Sequence, residues 1–149
     1  MSLFSAISVS ASGMAAERKR AELLAENVAN AETTRTPEGG PYRRKDAVFA
    51  TEFTVSPFAS IFEAQRSAVS GDGPEGVGIA DIVVDNREPE LHYLPGHPDA
   101  DAQGYVAFPR VNAAEDMVDL MGAAHGYQAN VAAISAIKDM IQRSLDLLR

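Results

Sequence analysis

The chain ends in residues 113–149, which read AAEDMVDLMGAAHGYQANVAAISAIKDMIQRSLDLLR. Small and apolar residues recur there at alternating intervals of four and three, the 3.5-residue repeat of a helix that packs along one seam against another helix. No proline interrupts the repeat. A helix of this length would extend over roughly 54 Å, whereas a compact domain of this size would be only ~30 Å across. The pattern therefore predicts a long helix that needs a partner beside it.

The same repeat occurs at both ends of the chain. At the C-terminal end it falls on Ala113, Met117, Leu120, Ala124, Tyr127, Val131, Ile134, Lys138, Ile141, Leu145 and Leu148, and within residues 3–30 it falls on Phe4, Ile7, Ala11, Met14, Arg18, Ala21, Ala25 and Val28. Gly13 and the serines around it are poor helix formers, so we expect packing rather than propensity to stabilise the N-terminal helix. Two such helices can pair antiparallel with each other or pack with other copies.

Between the helices, the sequence indicates loops and short strands. Residues 31–46 are rich in proline and glycine and predict a loop, in which the basic cluster at 43–45 is expected to be solvated or to contact an acidic partner. Strands are predicted at residues 47–55, 79–85, 90–94 and 105–108, and turn-rich loops at 70–78 and 95–104. Residues 58–69 fit either a short helix or a strand.

These elements predict a mainly α-helical fold with a small β insert. The two terminal helices, in residues 1–34 and 113–149, would form a discontinuous, coiled-coil-like assembly domain. Residues 35–112 would form a loop followed by a β-hairpin-rich middle module, whose core is thin and leans on its neighbours for stability.

The composition fits a folded protein that associates with itself. Of its 149 residues, 46% are hydrophobic, which argues against wholesale disorder. The net charge of −8 argues against general nucleic-acid binding, and it is concentrated in the middle of the chain, so that both helical ends are close to neutral. Near-neutral amphipathic ends favour self-association over repulsion.

Neither catalysis nor membrane insertion is expected. The sequence carries no nucleophile elbow, P-loop or dinucleotide-binding glycine motif, and it has no cysteine, so we expect neither an enzyme nor a cofactor. It contains no apolar run of roughly 18 residues, the length that crosses a bilayer. The basic cluster near the N-terminus follows the apolar part instead of preceding it, so we expect no cleaved signal peptide.

One cluster in the turn 95–104 has the residue types of a metal site. His97, Asp99 and Asp101 could contribute ligands, and the run DADAQG mimics the start of a calcium-binding loop. The twelfth position of such a loop is Arg110, however, rather than the glutamate that calcium requires. We therefore expect no metal here, but a turn held by aspartate side chains that hydrogen-bond to the local backbone.

Four stretches are similar to one known family. They are AENVANAETT (residues 25–34), PEGGPYRRKDAVF (37–49), PGHPDADAQGYVAFPRVN (95–112) and EDMVDLMGAAHGYQANVAAISAIKDMI (115–141). On these stretches the chain resembles the bacterial flagellar axial proteins, and most closely those of the proximal rod. It departs from them at Glu26, where a small polar residue is more usual, and at Gly126, where serine is more usual.

This resemblance implies a structural, non-enzymatic subunit of the basal-body rod. Such subunits polymerise by packing both terminal helices into a tubular layer around a central channel. The resemblance also implies export through the flagellar type III apparatus without a cleaved signal, and a location in the rod where it spans the periplasm. The implied partners are other copies of the chain, other rod proteins, basal-body ring or adaptor components and the export apparatus.

The assembly interface expected from the repeats and the resemblance lies on both terminal helices. Its residues are Phe4, Ile7, Ala11, Met14, Ala21, Ala25, Asn27, Val28, Asn30, Met117, Leu120, Ala124, Tyr127, Gln128, Asn130, Val131, Ile134, Ile141, Leu145 and Leu148. Two alternatives remain open. The same repeats would suit a soluble cytoplasmic coiled-coil adaptor or export-chaperone-like module, and His97, Asp99 and Asp101 would be the centre of a small metal-dependent enzyme.

Overall fold

Two long helices flank four strands in the computed structural model of the chain, which describes residues 3–53 and 75–147. The elements in chain order are α1 (Leu3–Ala29), β1 (Lys45–Phe53), β2 (Glu75–Val84), β3 (Glu90–Tyr93), β4 (Tyr105–Phe108) and α2 (Ala113–Asp146). The predicted combination of terminal helices with a small β insert is therefore confirmed, while a coiled-coil supercoil stays a prediction. Residues 58–69 and Leu148 lie outside the described part of the chain. Neither described helix is long and apolar enough to cross a bilayer.

Helix α1 contains serines whose hydroxyls bond to its own backbone. Ser8 donates to the carbonyl of Ser5 at 2.9 Å, and Ser10 and Ser12 likewise donate to carbonyls one turn earlier. Such bonds satisfy hydroxyls that otherwise favour turns over helix. The Ser12 hydroxyl oxygen also accepts a hydrogen bond from the N–H of Val77 at 3.1 Å. This contact joins α1 to strand β2.

Helix α2 begins at a capped end. The side-chain oxygen of Asn112 accepts hydrogen bonds from the N–H groups of Ala114 and Glu115 at 3.2 and 3.4 Å. Asparagine is among the preferred residues at this position, where a cap contributes about 1 kcal/mol. The first turn also carries two acids, Glu115 and Asp116, at the positive end of the helix dipole.

The four strands form two separate two-stranded sheets. Strand β3 pairs antiparallel with β4, with Glu90 opposite Phe108 and Tyr93 opposite Tyr105, as expected for a hairpin. The connecting turn returns through Gly104 at a φ of 85°, where a β-carbon would lie 2.9 Å from the Tyr93 ring. Only glycine adopts this conformation without strain. In the other sheet, β1 pairs with β2.

Strand β2 begins earlier than the sequence predicts. Residues 75–78 belong to the strand, so the prediction of a loop over 70–78 was wrong for them. Glycine is disfavoured in strands, so the glycines in this stretch indicate a loop when the sequence is considered alone. At Gly78, however, a β-carbon would collide with the Glu52 carboxylate on the neighbouring strand. The glycine permits close packing there and does not mark a loop.

The chain forms two compact units, each assembled from distant segments. The first comprises Met1–Arg18, Phe49–Ala80 and Ala124–Arg149, and the second comprises Lys19–Val48 and Asp81–Ala123. Among the described residues, the first unit buries Ala16 and Ile137, and the second buries Leu23, Leu24, Tyr42, Val106 and Ala123. In these described residues few apolar side chains are fully buried, and many large apolar side chains on the helices and strands stay exposed.

In the first unit, α1 and α2 run antiparallel at close range. Gly13 lies against Asn130, and Gly126 lies against Glu17. Residue numbers rise along α1 as they fall along α2, which defines the antiparallel direction. A β-carbon at either glycine would lie 3.0 Å from the facing side chain, so the glycines set the spacing of the helices. One of the two predicted arrangements of the terminal helices is thus observed within a single chain.

Candidate assembly interface

The face of α2 that the chain itself covers consists of residues seven positions apart. Asp116, Ala123 and Ile137 are buried, and Asn130 contacts Gly13. Each lies one position before a member of the apolar repeat, which corresponds to a rotation of about 100° around the helix. Within one chain, α2 therefore covers a track of residues beside the apolar repeat, and Asn130 on this track contacts α1.

The apolar repeat on α2 is largely exposed. Met117, Val131 and Leu145 leave 53%, 40% and 60% of their surface accessible. The remaining residues predicted for the interface on this helix divide into the exposed Ala124, Tyr127 and Gln128 and the half-buried Leu120, Asn130, Ile134 and Ile141. The apolar repeat thus alternates exposed with half-buried residues, so part of its surface is accessible to another molecule.

Helix α1 shows the same division. Phe4 is 78% exposed. The other residues predicted for the interface on this helix and just after it are the exposed Ala11 and Ala25, the half-buried Ile7, Met14, Ala21, Val28 and Asn30, and the fully buried Asn27. Most of the predicted interface residues therefore keep accessible surface, whereas Asn27 is used entirely inside the chain.

Asn27 joins the end of α1 to the start of β1. Its amide oxygen accepts hydrogen bonds from the Tyr42 hydroxyl at 2.9 Å and from the Lys45 N–H at 3.0 Å. Its amide nitrogen donates to the Lys45 carbonyl at 2.9 Å. One side chain thus satisfies both backbone groups of a strand residue, which an amide with its donor and acceptor can do. The contact orders the loop that leads from helix to sheet.

Tyr42 is the second buried member of this contact. Burial raises the pKa of Tyr42 from 10.0 to about 12, and the negative charges of Glu26 and Asp116 add to the shift. The hydroxyl therefore stays protonated over the physiological range and remains a donor to Asn27. The Lys45 ammonium pairs with Glu26 on α1 and so ties the same strand end to the same helix turn.

Asn30 has a local role at the end of α1. Its amide nitrogen donates to the carbonyl of Glu26 at 2.9 Å, and its amide oxygen accepts from the Thr33 hydroxyl at 3.1 Å. The same carbonyl also accepts a hydrogen bond from the Asn30 backbone N–H at 3.1 Å, so the side chain adds a second bond to the last turn of the helix. The helix ends at Ala29, beside the asparagine where the sequence predicts its end.

Asp116 is fully buried at the start of α2 and pairs with an arginine from the loop before β1. Arg44 Nη2 lies 2.9 Å from Asp116 Oδ1 and 3.3 Å from Asp46 Oδ1. Burial raises the pKa of Asp116, and the positive charge of Arg44 opposes the shift. Neither carboxylate oxygen of Asp116 makes a hydrogen bond to a described residue, so the contact is an ion pair of imperfect geometry. Pairs of this kind position elements without adding much net stability.

The prediction of a solvated basic cluster at residues 43–45 is correct only for Arg43. This side chain is exposed and donates to Asn86 Oδ1 at 2.7 Å. The prediction was wrong for Arg44 and Lys45, both half-buried, which pair with carboxylates on the two helices. A carboxylate covered by a loop needs a nearby cation, and these two residues supply it.

The turn between β3 and β4 is held by aspartate and histidine side chains, as the sequence predicts for the aspartates. Asp101 Oδ1 accepts hydrogen bonds from the N–H groups of Gln103 and Tyr105 at 2.8 and 2.9 Å. The Asp99 N–H donates to Nδ1 of His97 at 3.1 Å. Within the described residues, no three histidines, aspartates or glutamates are grouped so as to hold a metal ion.

The apolar repeat did not reveal this covered track on α2, although Asn130 on it was among the residues predicted for the interface. Asp116, Ala123, Asn130 and Ile137 recur every seven residues, so a second heptad track beside the apolar one is present in the sequence. Its members are mostly small or polar, which hides the track from a search for apolar periodicity. The pairing of Arg44 with Asp116 joins distant parts of the chain and leaves no local signal.

Relatives of this chain align with nearly all of it. A family model described as flagellar basal body rod FlgEFG protein C-terminal matches residues 102–147, which include β4 and α2. The flagellar basal-body rod protein FlgC of Borreliella burgdorferi is 38% identical over 157 residues, which cover 100% of this chain and 99% of the relative. The chain belongs to the FlgC family of flagellar basal-body rod proteins.

Two further FlgC proteins show the same extent of similarity. FlgC of Bacillus subtilis is 38% identical over 151 residues, which cover 99% of each chain. FlgC of Salmonella typhimurium is 35% identical over 147 residues, which cover 99% of this chain and 98% of the relative. The similarity to the FlgC family therefore includes both terminal helices as well as the middle of the chain.

Proposed function

We propose that the chain is a structural subunit of the bacterial flagellar basal-body rod and that it polymerises through its terminal helices into a tubular shaft that transmits torque. The observation that carries the proposal is the exposed apolar stripe on α2. It lies beside the track of residues that the chain itself covers. Each terminal helix thus has one face for contacts within the subunit and an adjacent face for neighbouring subunits.

Burial of this stripe would supply the free energy of assembly. A large apolar side chain contributes about 1.5–3 kcal/mol when it passes from full exposure to full burial. Met117, Val131 and Leu145 are partly exposed, so their burial in an assembly would contribute a substantial part of this free energy. Every copy carries the stripe, so the gain recurs at each subunit. Contacts that join different surfaces head to tail generate a helical assembly rather than a closed dimer.

The terminal segments, residues 1–34 and 113–149, would form the assembly domain, and residues 35–112 would select the neighbour. The β3–β4 hairpin supports this division because Leu91 and Tyr93 on it are 66% and 64% exposed. A two-stranded sheet is marginal alone and gains stability when its apolar side chains are covered. We assign this hairpin to contacts with another rod protein or with a ring or adaptor component.

The remaining partners and the location follow from the family. FlgC relatives carry the name of a basal-body rod protein, so we place this chain in the rod where the rod spans the periplasm. It would reach that site through the flagellar type III export apparatus, without a cleaved signal peptide. We assign it no catalytic role, since the relatives are named as rod components.

Deletion and complementation test the proposal. A strain that lacks the gene should be non-motile and should yield basal bodies without a rod, and a tagged copy of the chain should restore motility and copurify with basal bodies. A motile deletion strain would contradict the proposal. Retention of the functional tagged chain in the cytosol would instead favour the adaptor or chaperone-like role.

A further inference from the structure

A groove in the first unit contains a carboxylate oxygen without a partner. The groove has a volume of about 310 Å³, and its walls include Gly13, Ala16, Phe49 and Val77 from α1, β1 and β2. Glu17 opens into it, and its Oε2 atom is buried and makes no hydrogen bond in the described part of the chain. The groove is thus apolar except for one acid and one amide, that of Asn130.

An unpaired carboxylate in such surroundings is costly. A carboxylate oxygen that is removed from water is destabilised unless a cation or a hydrogen-bond donor replaces the water. The other oxygen of Glu17, Oε1, lies against the bare backbone of Gly126, where a β-carbon would be 3.0 Å away. The described part of the chain therefore leaves Oε2 of Glu17 without a hydrogen-bond donor, and a cationic side chain that entered the groove would supply one.

Lys138 on α2 has the matching property. Its side chain is exposed, and the described part of the chain offers it no ion pair. It is the one polar member of the apolar repeat on this helix. Within one chain it cannot reach Glu17, because Lys138 lies twelve residues, or roughly 18 Å, along α2 from Gly126. A pair between the two residues must therefore join two molecules.

We propose that the groove around Glu17 binds the ammonium group of Lys138 from a second copy of this chain. The inference rests on the proposed function, since it specifies one contact between assembling subunits. Charge complementarity selects the occupant. Glu17 is an acid in an apolar groove on one surface, and Lys138 is a cation within the apolar stripe on another. Because the two surfaces differ, the contact is heterologous, and its repetition builds an open assembly rather than a closed dimer. It would fix the position of one subunit along the next.

Charge variants test this contact. Glu17→Gln should raise the thermal stability of the isolated chain, because it removes an unpaired charge, yet lower incorporation into basal bodies about tenfold. Lys138→Glu should leave stability unchanged and lower incorporation to a similar extent, whereas the control Arg143→Glu, also exposed on α2, should incorporate normally. The exchange Glu17→Lys with Lys138→Glu should restore incorporation. Normal incorporation of both Glu17→Gln and Lys138→Glu would overturn the proposal.

Cross-linking identifies the occupant. The chain has no cysteine, so Glu17→Cys and Lys138→Cys introduce the only thiols. When the two variants are coexpressed with different tags, basal bodies should contain a disulfide-linked dimer of both chains, and replacing Lys138→Cys by Asp139→Cys should abolish it. No dimer, or a disulfide to a different protein, would overturn the assignment of a second copy.

The wild-type chain separates this proposal from the broader one. If it is absent from basal bodies, the rod function itself fails. If it is present and both charge variants incorporate equally well, the rod function stands and the contact between Glu17 and Lys138 fails.

Discussion

Asn27 joins a helix to a strand through hydrogen bonds from a single amide, and it does so without any accessible surface. A buried amide that loses one partner leaves a desolvated group behind, so each bond in the cluster depends on the others. The arrangement explains why a polar residue is placed inside the second unit. It orders the loop between α1 and β1, on which the Arg44 contact with Asp116 also depends.

The Asn27 contact predicts an ordered series of stability losses. Asn27→Ala should lower the free energy of unfolding by about 2–3 kcal/mol, because three hydrogen bonds are lost and the Lys45 N–H stays buried without an acceptor. Tyr42→Phe removes one of these bonds and should cost about 1 kcal/mol. The control Asn86→Ala, at an exposed site, should change the free energy of unfolding by less than about 0.5 kcal/mol. Urea unfolding followed by circular dichroism measures all three, and equal effects for Asn27 and Asn86 would contradict the assignment.

Asp116 should link stability to pH. Burial holds the pKa of its carboxyl above the ordinary value of 3.8, so in the corresponding pH range the folded chain binds more protons than the unfolded chain. The stability that this proton binding contributes is complete below pH 3.8 and is lost as the pH rises through the folded-state pKa. The neutral side chain of Asp116→Asn does not titrate.

The free energy of unfolding of Asp116→Asn, relative to the wild type, should therefore increase as the pH rises through that range. Urea titrations of both proteins at a series of pH values measure the difference. The subtraction removes the contributions of the other carboxylates, including the Asp85 carboxyl, whose pKa Arg87 lowers to about 2. A difference that stays constant or decreases with rising pH would show that the Asp116 carboxyl is not held protonated by burial.

At the scale of the helices, three glycines on α1 and α2 meet different surroundings. A β-carbon at Gly122 would touch nothing, one at Gly126 would meet the flexible end of Glu17, and one at Gly13 would meet the Asn130 amide. That amide is fixed by its own hydrogen bond to the Gly126 carbonyl at 3.0 Å. The cost of adding a methyl group should therefore rise in this order.

These surroundings predict the effect of alanine at each glycine. Gly122→Ala should raise the free energy of unfolding by about 1 kcal/mol, the helix-propensity difference alone. Gly126→Ala should give a smaller gain, because Glu17 must move, and Gly13→Ala should lower stability, because Asn130 cannot. Thermal melts of the three variants test the order, with Gly122→Ala as the reference. A gain at Gly13 equal to that at Gly122 would contradict the close contact between α1 and α2.

The elements themselves could be predicted from the sequence because their signals are local. The heptad repeats locate both helices, and strand β4 occupies the residues predicted for it. The start of β2 could not be predicted, since glycine is disfavoured in strands and the pairing of β2 with β1 joins distant parts of the chain. On α2, the covered residues lie one position before members of the apolar repeat. The sequence alone does not show which of these two sets the chain covers.

In the described part of the chain, much apolar surface is accessible. The stripe on α2, Phe4 on α1, and Leu91 and Tyr93 on the β3–β4 hairpin keep accessible apolar surface, while few apolar side chains are buried. A subunit of this kind gains most of its burial from neighbours, so we expect the isolated chain to be marginally stable and to gain stability on assembly. This is consistent with the rod function that we propose for it.

One pair of substitutions tests whether the exposed stripe on α2 is the assembly interface. Val131 lies on the stripe, and Ala133 is exposed on the opposite side of the same helix. Both Val131→Asp and Ala133→Asp place one acid in the same turn, and neither position is buried within the chain, so both purified variants should melt within a few degrees of each other.

The measurement is the amount of each variant that copurifies with basal bodies from a deletion strain, together with motility. We expect Ala133→Asp to be incorporated and to support swimming. We expect Val131→Asp to be synthesised and folded but at least tenfold depleted from basal bodies, in cells that are non-motile. Motile cells with normal incorporation of Val131→Asp would contradict the assignment of the stripe as the assembly interface.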